Sequence, residues 1–371
     1  RGDQMNTQIQ DKFTFKNGQT MRNRVVLAPM TICASEPGGY VSQADIDFFA
    51  RRSRSVGMVI TGSTYVHPLG KSFAESFSGA EDDKIEGLSR LAKAIKDQGA
   101  LAIVQLYHGG RMVLPDLIDG QPVAPSAVKA PRDYLAEPRA LKNAEVEQVI
   151  EDFLSAIRRA IQAGFDGVEL HGANTYLIQQ FVSPHSNVRK DKWGGSLNNR
   201  LRFPKTLLKR AKQLVKEEAD RPFLIGYRFS PEEIEEPGIQ LYDTLQLLEQ
   251  LIYHQVDYLH ISTSDVWRSS IRDSQDSEPV IQKIIKKIND RVPLIGVGQI
   301  ETKQDAQRVL DAGVPLFALG KALLLDPDWT EKVVSGRESE VIRAYRDEMQ
   351  ADLALPTAFV EDARSYLEGK D

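Results

Sequence analysis

Eight short apolar segments recur along the chain, each followed by a loop and an amphipathic stretch, and this rhythm limits the fold more than any other feature. Each segment is continuous and mostly β-branched or aliphatic, which is typical of strands buried on both faces of a parallel sheet. The segments are Val25–Ala28, Met58–Thr61, Leu101–Leu106, Gly167–Leu170, Phe223–Phe229, Tyr258–Ile261, Leu294–Val297 and Leu316–Leu319. The pattern therefore predicts an α/β fold.

The amphipathic stretches between these segments are predicted to be helices. Ser42 is suited to cap the first of them, and an apolar stripe along the third ends at Gly164. The predicted helices are Gln43–Val56, Lys84–Asp97, Glu145–Ala163, Leu197–Ala219, Tyr242–His254, Pro279–Ile288, Thr302–Ala312 and Pro327–Val334. Eight strands alternating with eight helices favour a closed (β/α)8 barrel, a TIM barrel, over the open doubly wound sheet that the alternation also allows.

Two further segments decorate the predicted barrel. Phe13–Phe15 and Gln19–Met21 flank Asn17-Gly18, which predicts an N-terminal β-hairpin with a type I′ turn that caps the barrel mouth. The segment His108–Asn143, rich in Pro and Gly, is an insertion after the third strand. Insertions of this kind usually lie over the catalytic face of a barrel.

Composition fits one domain and narrows the possible partners. We interpret residues 5–371 as a single barrel domain, and Arg1–Gln4 ahead of Met5 as a remnant of cloning. The net charge of −5 argues against nucleic acid, and no apolar run is long enough to span a membrane. Cys33 is the only cysteine, so the chain needs no oxidising compartment and a cytoplasmic location is expected.

The same cysteine count bears on cofactors. One thiol cannot hold an iron–sulfur cluster, which takes about four cysteines. Cys33 itself is either a small buried residue or a redox thiol, and the sequence leaves both interpretations open. No metal site is predicted.

Barrel enzymes carry their sites in the loops that follow the strands, so the chemistry is expected there. The loops after strands seven and eight often bind phosphate, because glycine lets backbone N–H groups approach the oxygens. Gly298 and the pair Gly320-Lys321 would supply such donors and a cation, and Arg228 would add a fixed charge. A glycine after a strand also occurs simply as a turn, so this pattern alone does not establish a phosphate site.

Three polar residues follow the fourth strand at short spacing. His171 and Asn174 are three residues apart, so on a turn they can present two hydrogen-bond donors to one oxygen. Tyr176 can present a phenol to a neighbouring atom. Each residue alone could simply satisfy a buried hydrogen bond at the rim, but the three together favour a substrate site.

At this point the chain resembles the old yellow enzyme family of FMN-dependent NAD(P)H oxidoreductases. The resemblance spans essentially the whole sequence, from Asn23–Thr31 to Leu319–Lys321, and its most specific part is Val168–Phe181. It continues from Ser183-Pro184 to Phe203. Two departures are Trp193, where most relatives have tyrosine, and Lys321, where arginine is usual and would allow forked phosphate contacts.

The resemblance implies roles for the residues at matching positions. Tyr176 resembles the proton donor, and His171 with Asn174 resembles the pair that binds the carbonyl or nitro oxygen of the substrate. Thr31 stands where the family places a group that hydrogen-bonds the flavin carbonyl. The other implied FMN contacts are Ala28, Pro29, Met30, Ser63, Gln105 and Arg228 at the ring and ribityl chain, and Gly298, Gln299, Gly320 and Lys321 at the phosphate.

The implied activity is reduction of activated alkenes, namely α,β-unsaturated carbonyl, nitro or quinone compounds, by non-covalently bound FMN with NADH or NADPH as transient hydride donor. Two other classes stay open: a non-redox phosphate-binding barrel such as an aldolase or isomerase, and a flavin-binding protein without turnover. A small-molecule substrate is the expected partner, and a homo-oligomer is compatible with the sequence. The physiological substrate and the choice between NADH and NADPH are not encoded in any readable motif.

Overall fold

Eight parallel strands close into a barrel in the computed structural model, which describes residues 6–370. They are β1 (Val25–Leu27), β2 (Met58–Ile60), β3 (Leu101–Tyr107), β4 (Gly167–Gly172), β5 (Leu224–Phe229), β6 (Tyr258–Ile261), β7 (Leu294–Val297) and β8 (Leu316–Leu319). Phe317 of β8 pairs with Val25 of β1, so the sheet closes on itself. This confirms the predicted (β/α)8 barrel. The interpretation of Arg1–Gln4 as a cloning remnant lies outside the described residues.

Helices cover the outside of the barrel. One main helix follows each of the first seven strands: α1 (Gln43–Ser53), α2 (Ile85–Asp97), α3 (Asn143–Ala163), α4 (Arg202–Glu218), α5 (Leu241–Tyr253), α6 (Val280–Ile288) and α7 (Lys303–Asp311). After β8 come α8 (Lys321–Leu325), α9 (Trp329–Val334) and α10 (Thr357–Glu368), of which the sequence analysis predicted only α9. No helix within residues 6–370 is both long enough and apolar enough to cross a bilayer.

The ends of these helices follow their capping residues. Ser42 caps α1 as predicted, because its hydroxyl accepts from Asp45 N while the Asp45 carboxylate accepts from Ser42 N. The helix stops at Ser53, earlier than predicted. The guanidinium of Arg22 donates to the carbonyls of Ser53 and Val56 and so satisfies oxygens that would otherwise need helical partners.

The predicted helix Leu197–Ala219 is wrong in one respect, because the structure breaks it at Leu201. A short helix, Leu197–Arg200, precedes α4, and another, Leu177–Val182, follows β4. Pro204 explains the break, since it has no N–H to donate to the Arg200 carbonyl and its ring would press against that oxygen.

The N-terminal hairpin closes one end of the barrel interior. Its strands, Phe13–Thr14 and Thr20–Met21, are antiparallel. Phe15 and Met21 belong to the same buried apolar cluster as side chains of the barrel strands, such as Ile103 and Leu224. This confirms the predicted cap, which removes apolar surface at the barrel mouth from water.

The predicted type I′ turn of this hairpin is wrong. Such a turn needs positive φ at both central residues, but here Gly18 has φ 95° and Asn17 does not have a positive φ. Phe15 N donates to the carbonyl of Gln19, so the loop has three residues and ends with Gly18 in the left-handed conformation.

The insertion after β3 lies at the C-terminal face of the barrel, as predicted. Leu177 N donates to the carbonyl of His108 over 2.9 Å, and Arg111 N donates to Gln180 Oε1 over 3.0 Å. These bonds tie the insertion to the loop and helix that follow β4. The insertion therefore forms one wall above the ends of β3 and β4.

Candidate active site

The residues that the sequence predicts for the site lie at the C-terminal ends of seven strands or in the loops that follow these strands. Because the C-terminal ends of parallel strands face the same way, all of them are on one face of the barrel. The structure brings some of them into direct contact and leaves others separate.

Thr31, Ser63 and Gln105 form one hydrogen-bonded group. Ser63 N donates to Thr31 Oγ1 over 3.2 Å, and Ser63 Oγ donates to Gln105 Oε1 over 3.1 Å. The Thr31 oxygen accepts from the chain, so its own proton stays available for a ligand.

Residues 28–30 precede this group at the end of β1. Ala28 is buried, and its N–H donates to the Leu319 carbonyl over 3.0 Å, while Pro29 and Met30 are half-buried. A Cβ at Gly62 would lie 2.4 Å from the carbonyl oxygen of Met30, so the loops after β1 and β2 touch through their backbones.

Glu169 lies beneath these residues and was missed by the sequence analysis. Its carboxylate is fully buried and accepts three hydrogen-bonding contacts: from Gln105 Nε2 at 2.9 Å, Tyr258 Oη at 2.9 Å and His260 Nδ1 at 3.0 Å. Burial alone would raise the pKa of Glu169, but its interaction with His260 and the positive charge of Arg228 bring that pKa down to about 2. The available signal was a carboxylate inside an apolar strand, since a buried charge needs partners.

Arg228, on β5, is close to Glu169 of β4. Its Cα pairs with that of His171 on β4 and with that of His260 on β6, so Arg228 lies between these two histidines across the sheet. Its Nε is buried and has no hydrogen-bond partner among the described residues. Leaving a buried donor unsatisfied costs about 1–3 kcal/mol, so this position suits a ligand that brings acceptor oxygens.

His171 and Tyr176 are in contact through their rings. Their centroids are 5.1 Å apart, with Tyr107 and Phe73 packed against the other sides of Tyr176. Burial, assisted by the charge of Arg228, lowers the pKa of His171 to about 3, so the imidazole is neutral. Burial raises the pKa of Tyr176 to about 12, so the phenol keeps its proton.

Asn174 is exposed and turns towards the loops after β5 and β6. Its Oδ1 accepts from Ser262 Oγ over 2.7 Å, and its backbone N–H donates to Ser230 Oγ over 2.9 Å. The structure shows no hydrogen bond that joins Asn174 to His171. Their joint action on one substrate oxygen therefore stays a prediction, with the side-chain N–H groups of Asn174 left to donate.

The predicted phosphate residues have different surroundings. Gly298 has φ 117° and Gln299 φ 53°, and a Cβ at Gly298 would lie 2.7 Å from the Thr263 carbonyl, so packing against the β6 loop requires glycine there. A Cβ at Gly320 would meet nothing within 4 Å, which leaves open space above the start of α8. The Lys321 ammonium lies 4.9 Å from the Tyr366 ring of α10. Their phosphate-binding roles stay predictions.

Cys33 is half-buried with φ 49°, at the edge of the loop after β1. Burial raises the pKa of its thiol, with the charges of nearby carboxylates acting in the same direction. A thiolate is the reactive form of cysteine, so these surroundings favour the interpretation of Cys33 as a packing residue.

The sequence matches the model of the NADH:flavin oxidoreductase / NADH oxidase family over residues 11–340. The chain is 47% identical over 340 residues to the NADH:fumarate oxidoreductase of Klebsiella pneumoniae (strain 342), covering 91% of this chain and 37% of that longer protein. It is 45% identical over 332 residues to the probable NADH-dependent flavin oxidoreductase YqiG of Bacillus subtilis (strain 168), covering 89% of each. Among solved structures, the old yellow enzyme homologue from Zymomonas mobilis superposes with TM-score 0.77 at 27% identity, over 89% of this chain and 93% of that one.

The chain therefore belongs to the NADH:flavin oxidoreductase / NADH oxidase family, the old yellow enzyme family. The residues at the strand ends fit FMN, the cofactor of that family, on independent grounds. Arg228 carries a buried, unpartnered donor, Gly320 leaves space above a backbone N–H, and Thr31 has a proton to give. These three residues are the ones we expect to hold FMN.

Proposed function

We propose that this chain reduces activated alkenes with hydride from NADH or NADPH, with Tyr176 as the proton donor. The observation that carries the proposal is the contact between His171 and Tyr176 at the strand ends. One of these residues is kept neutral and the other is kept protonated by burial. His171 can therefore donate a hydrogen bond, and Tyr176 a proton, without either residue first being protonated.

FMN, when bound, supplies the hydride chemistry, which no side chain of the protein can perform. The chain positions its groups around that reaction. Arg228 and the Ser63–Gln105 pair offer a cation and oriented amide and hydroxyl groups at the centre of the rim. Glu169 keeps the charge of Arg228 balanced in the interior.

The substrate would be activated by hydrogen bonds to its oxygen. Neutral His171 and the free amide N–H of Asn174 can each donate one, and donors aimed at an oxygen stabilise the negative charge that grows there during reduction. Tyr176 would then protonate the α-carbon, as a general acid that is fully protonated at neutral pH.

Unsaturated acids are the substrate class we favour, because one relative is named for fumarate.

A second candidate function comes from the length of that relative. This chain spans 37% of it, so the named activity need not reside in the matched part. In that case the chain would oxidise NADH and pass the electrons to an acceptor other than an alkene.

Product analysis distinguishes the two functions. The FMN-loaded protein is given NADH with 2-cyclohexenone, methyl acrylate or fumarate without oxygen, and the saturated products are measured by mass spectrometry. We expect stoichiometric NADH oxidation and saturated product with at least one alkene. Parallel assays replace the alkene by a quinone or by oxygen. NADH oxidation in these assays, with no saturated product from any alkene, would contradict the proposal and support the second function.

A further inference from the structure

A polar cavity of about 280 Å³ opens at the rim between the loops after β4, β5 and β6. Asn174 forms part of its wall, so the cavity adjoins the predicted substrate site. Ser230, Ser262 and Thr263 also face it. Its lining is dominated by hydroxyl, amide and charged groups, which suits an ionic or strongly polar ligand.

Arg268 lines this cavity without a counter-ion. Its guanidinium makes no hydrogen bond or ion pair with any residue from 6 to 370, and its Nε is buried. The backbone on either side is fixed, since Arg268 N donates to the Asp265 carbonyl over 3.1 Å and Val280 N donates to the Arg268 carbonyl over 2.9 Å. A positioned arginine with a buried, unsatisfied donor is suited to receive an anion.

Two carboxylates of the same cavity are already engaged elsewhere. Glu232 accepts from Ser270 Oγ over 2.6 Å, and Glu233 accepts from Gln179 Nε2 over 2.9 Å. Both are buried by these contacts. They hold the loop after β5 in place and do not reach Arg268 within ion-pair distance.

Two other residues of the cavity carry opposite charges. Arg132 and Glu235 both line it, and neither forms an ion pair among residues 6–370. The lining as a whole carries three carboxylates and two guanidinium groups, and Arg268 is the cation among them whose buried Nε has no partner within residues 6–370. An incoming anion would therefore gain from Arg268 without displacing an existing partner.

Asn174 connects this charge to the predicted chemistry. Because its Oδ1 accepts from Ser262 Oγ over 2.7 Å, its amide nitrogen is the end that is free to donate. A ligand with an anionic group at Arg268 could present a second oxygen to that nitrogen. The anionic group and the reacting part of a substrate would then be held together.

We propose that Arg268 is the centre of an anion subsite at the C-terminal rim of the barrel, which binds either the carboxylate of an unsaturated acid or a phosphate of the nicotinamide nucleotide. The carboxylate case deepens the proposed alkene reduction and rests on it, whereas the phosphate case needs only the family's NAD(P)H chemistry. Both are oxyanions that a guanidinium binds through paired N–H groups.

Calorimetric titration of the FMN-loaded protein tests the subsite with fumarate, dimethyl fumarate, NAD⁺ and NADP⁺ as probes. The variants are Arg268→Gln and Arg268→Lys, and Arg90→Gln is the control because Arg90 is exposed on α2. We expect Arg268→Gln to weaken fumarate or the nucleotides by about tenfold or more, the usual scale of a lost charge-assisted contact. Arg268→Lys should retain part of the affinity, and neutral dimethyl fumarate and the control should be unaffected.

The pattern of loss identifies the source of the anion. A loss for fumarate assigns the carboxylate, a loss for NADP⁺ alone assigns the 2′-phosphate, and a loss for both nucleotides assigns the diphosphate. Equal affinities in wild type and Arg268→Gln, or no binding of any anionic probe to wild type, would overturn the subsite. Release of FMN from Arg268→Gln would also overturn it, because Arg268 would then serve the flavin phosphate. Binding is the readout, so failure of alkene turnover leaves the result unaffected.

Discussion

The side-chain amide of Gln105 donates a 2.9 Å hydrogen bond to Glu169, and this bond fixes which end of the amide faces Ser63. Glu169, with a pKa of about 2, is ionised and can only accept, so the NH₂ group of Gln105 must point inward. The Gln105 oxygen is then left to accept from Ser63 Oγ. A carboxylate in the barrel interior thus orients polar groups at the rim.

Replacing Glu169 by Gln should therefore affect both stability and flavin binding. The variant leaves the buried cation of Arg228 uncompensated, and breaking such a buried charge arrangement costs about 3 kcal/mol. We expect that loss in the free energy of unfolding by urea, together with weaker FMN retention. Glu147→Gln is the control, since Glu147 pairs with Lys192 on the surface, where an ion pair contributes about 1 kcal/mol or less. Equal losses in the two variants would contradict the orienting role of Glu169.

A comparison of alanine substitutions at Gly298 and Gly164 distinguishes the cost of backbone conformation from the cost of a steric clash. Both have positive φ, 117° and 93°, but a Cβ at Gly298 would lie 2.7 Å from the Thr263 carbonyl, whereas one at Gly164 would meet nothing within 4 Å. Gly164→Ala should cost about 1–2 kcal/mol from conformation alone. Gly298→Ala should cost about 1–3 kcal/mol more, because the β6 loop must move. Thermal unfolding of the two variants measures the difference, and similar midpoints would show that the loop yields freely.

Flavin retention tests the predicted cationic contacts. Arg228→Ala and Lys321→Ala should each weaken FMN binding by about 1.5–3 kcal/mol if the two cations contact the cofactor. Lys303→Ala, at an exposed position of α7, is the control. Dialysis followed by absorbance of bound flavin gives the occupancy. The Lys321 ammonium lies over the Tyr366 ring. Unchanged flavin occupancy in Lys321→Ala, with reduced occupancy in Arg228→Ala, would therefore show that Lys321 packs against α10 and does not bind FMN.

The periodic parts of this fold were predictable from sequence, because strands buried on both faces and helices with one apolar stripe leave simple patterns. The barrel, the hairpin cap and the capping of α1 by Ser42 follow from those patterns. Features set by a contact distant in sequence were not predictable. Arg22 donates to the carbonyl of Ser53, the last residue of α1, and no residue near Ser53 in the sequence indicates that contact.

The same distinction, between local patterns and contacts distant in sequence, applies to the residues of the site. The strand-end positions of His171 and Tyr176 follow from the alternation of strands and loops, but their protonation states depend on burial that only the folded barrel creates. Glu169 was hidden because its partners come from β3 and β6, far along the chain. Asn174 was expected to join His171, yet Ser262, a residue of another loop, holds its side chain.

The neutral state of His171 predicts a pH dependence of stability. Its pKa is lowered to about 3, so between about pH 6.5 and that value the unfolded chain binds a proton here that the folded protein refuses. Stability present above pH 6.5 is therefore lost as pH falls, with a slope of about 1.4 kcal/mol per pH unit for one such group. His171→Asn should reduce the slope of unfolding free energy between pH 6 and 5 by about this amount. His108, whose pKa burial also lowers to about 3, provides a matched second variant, and an unchanged slope in both would contradict the prediction.

Tyr176→Phe separates proton donation from hydride chemistry. The Phe ring keeps the contacts with His171 and Tyr107, so packing is conserved while the acidic proton is lost. Bleaching of the flavin by NADH needs no proton from Tyr176 and should stay within roughly tenfold of wild type, whereas reoxidation by 2-cyclohexenone should slow by about 100-fold or more. Stopped-flow absorbance of the flavin measures each half separately.

The matched control for this experiment is Tyr107→Phe. The Tyr107 phenol lies in the same aromatic group and accepts from Ser72 N over 2.8 Å, but Tyr107 is completely buried. A substrate cannot reach it, so its removal should slow enone reduction far less. His171→Ala should slow both halves, because the nicotinamide amide and the substrate oxygen would use the same donor. A Tyr176→Phe protein that is reoxidised by the enone at the wild-type rate would remove Tyr176 from the mechanism. Reduction of quinones or oxygen, in which no carbon is protonated, would then be the better account of this site.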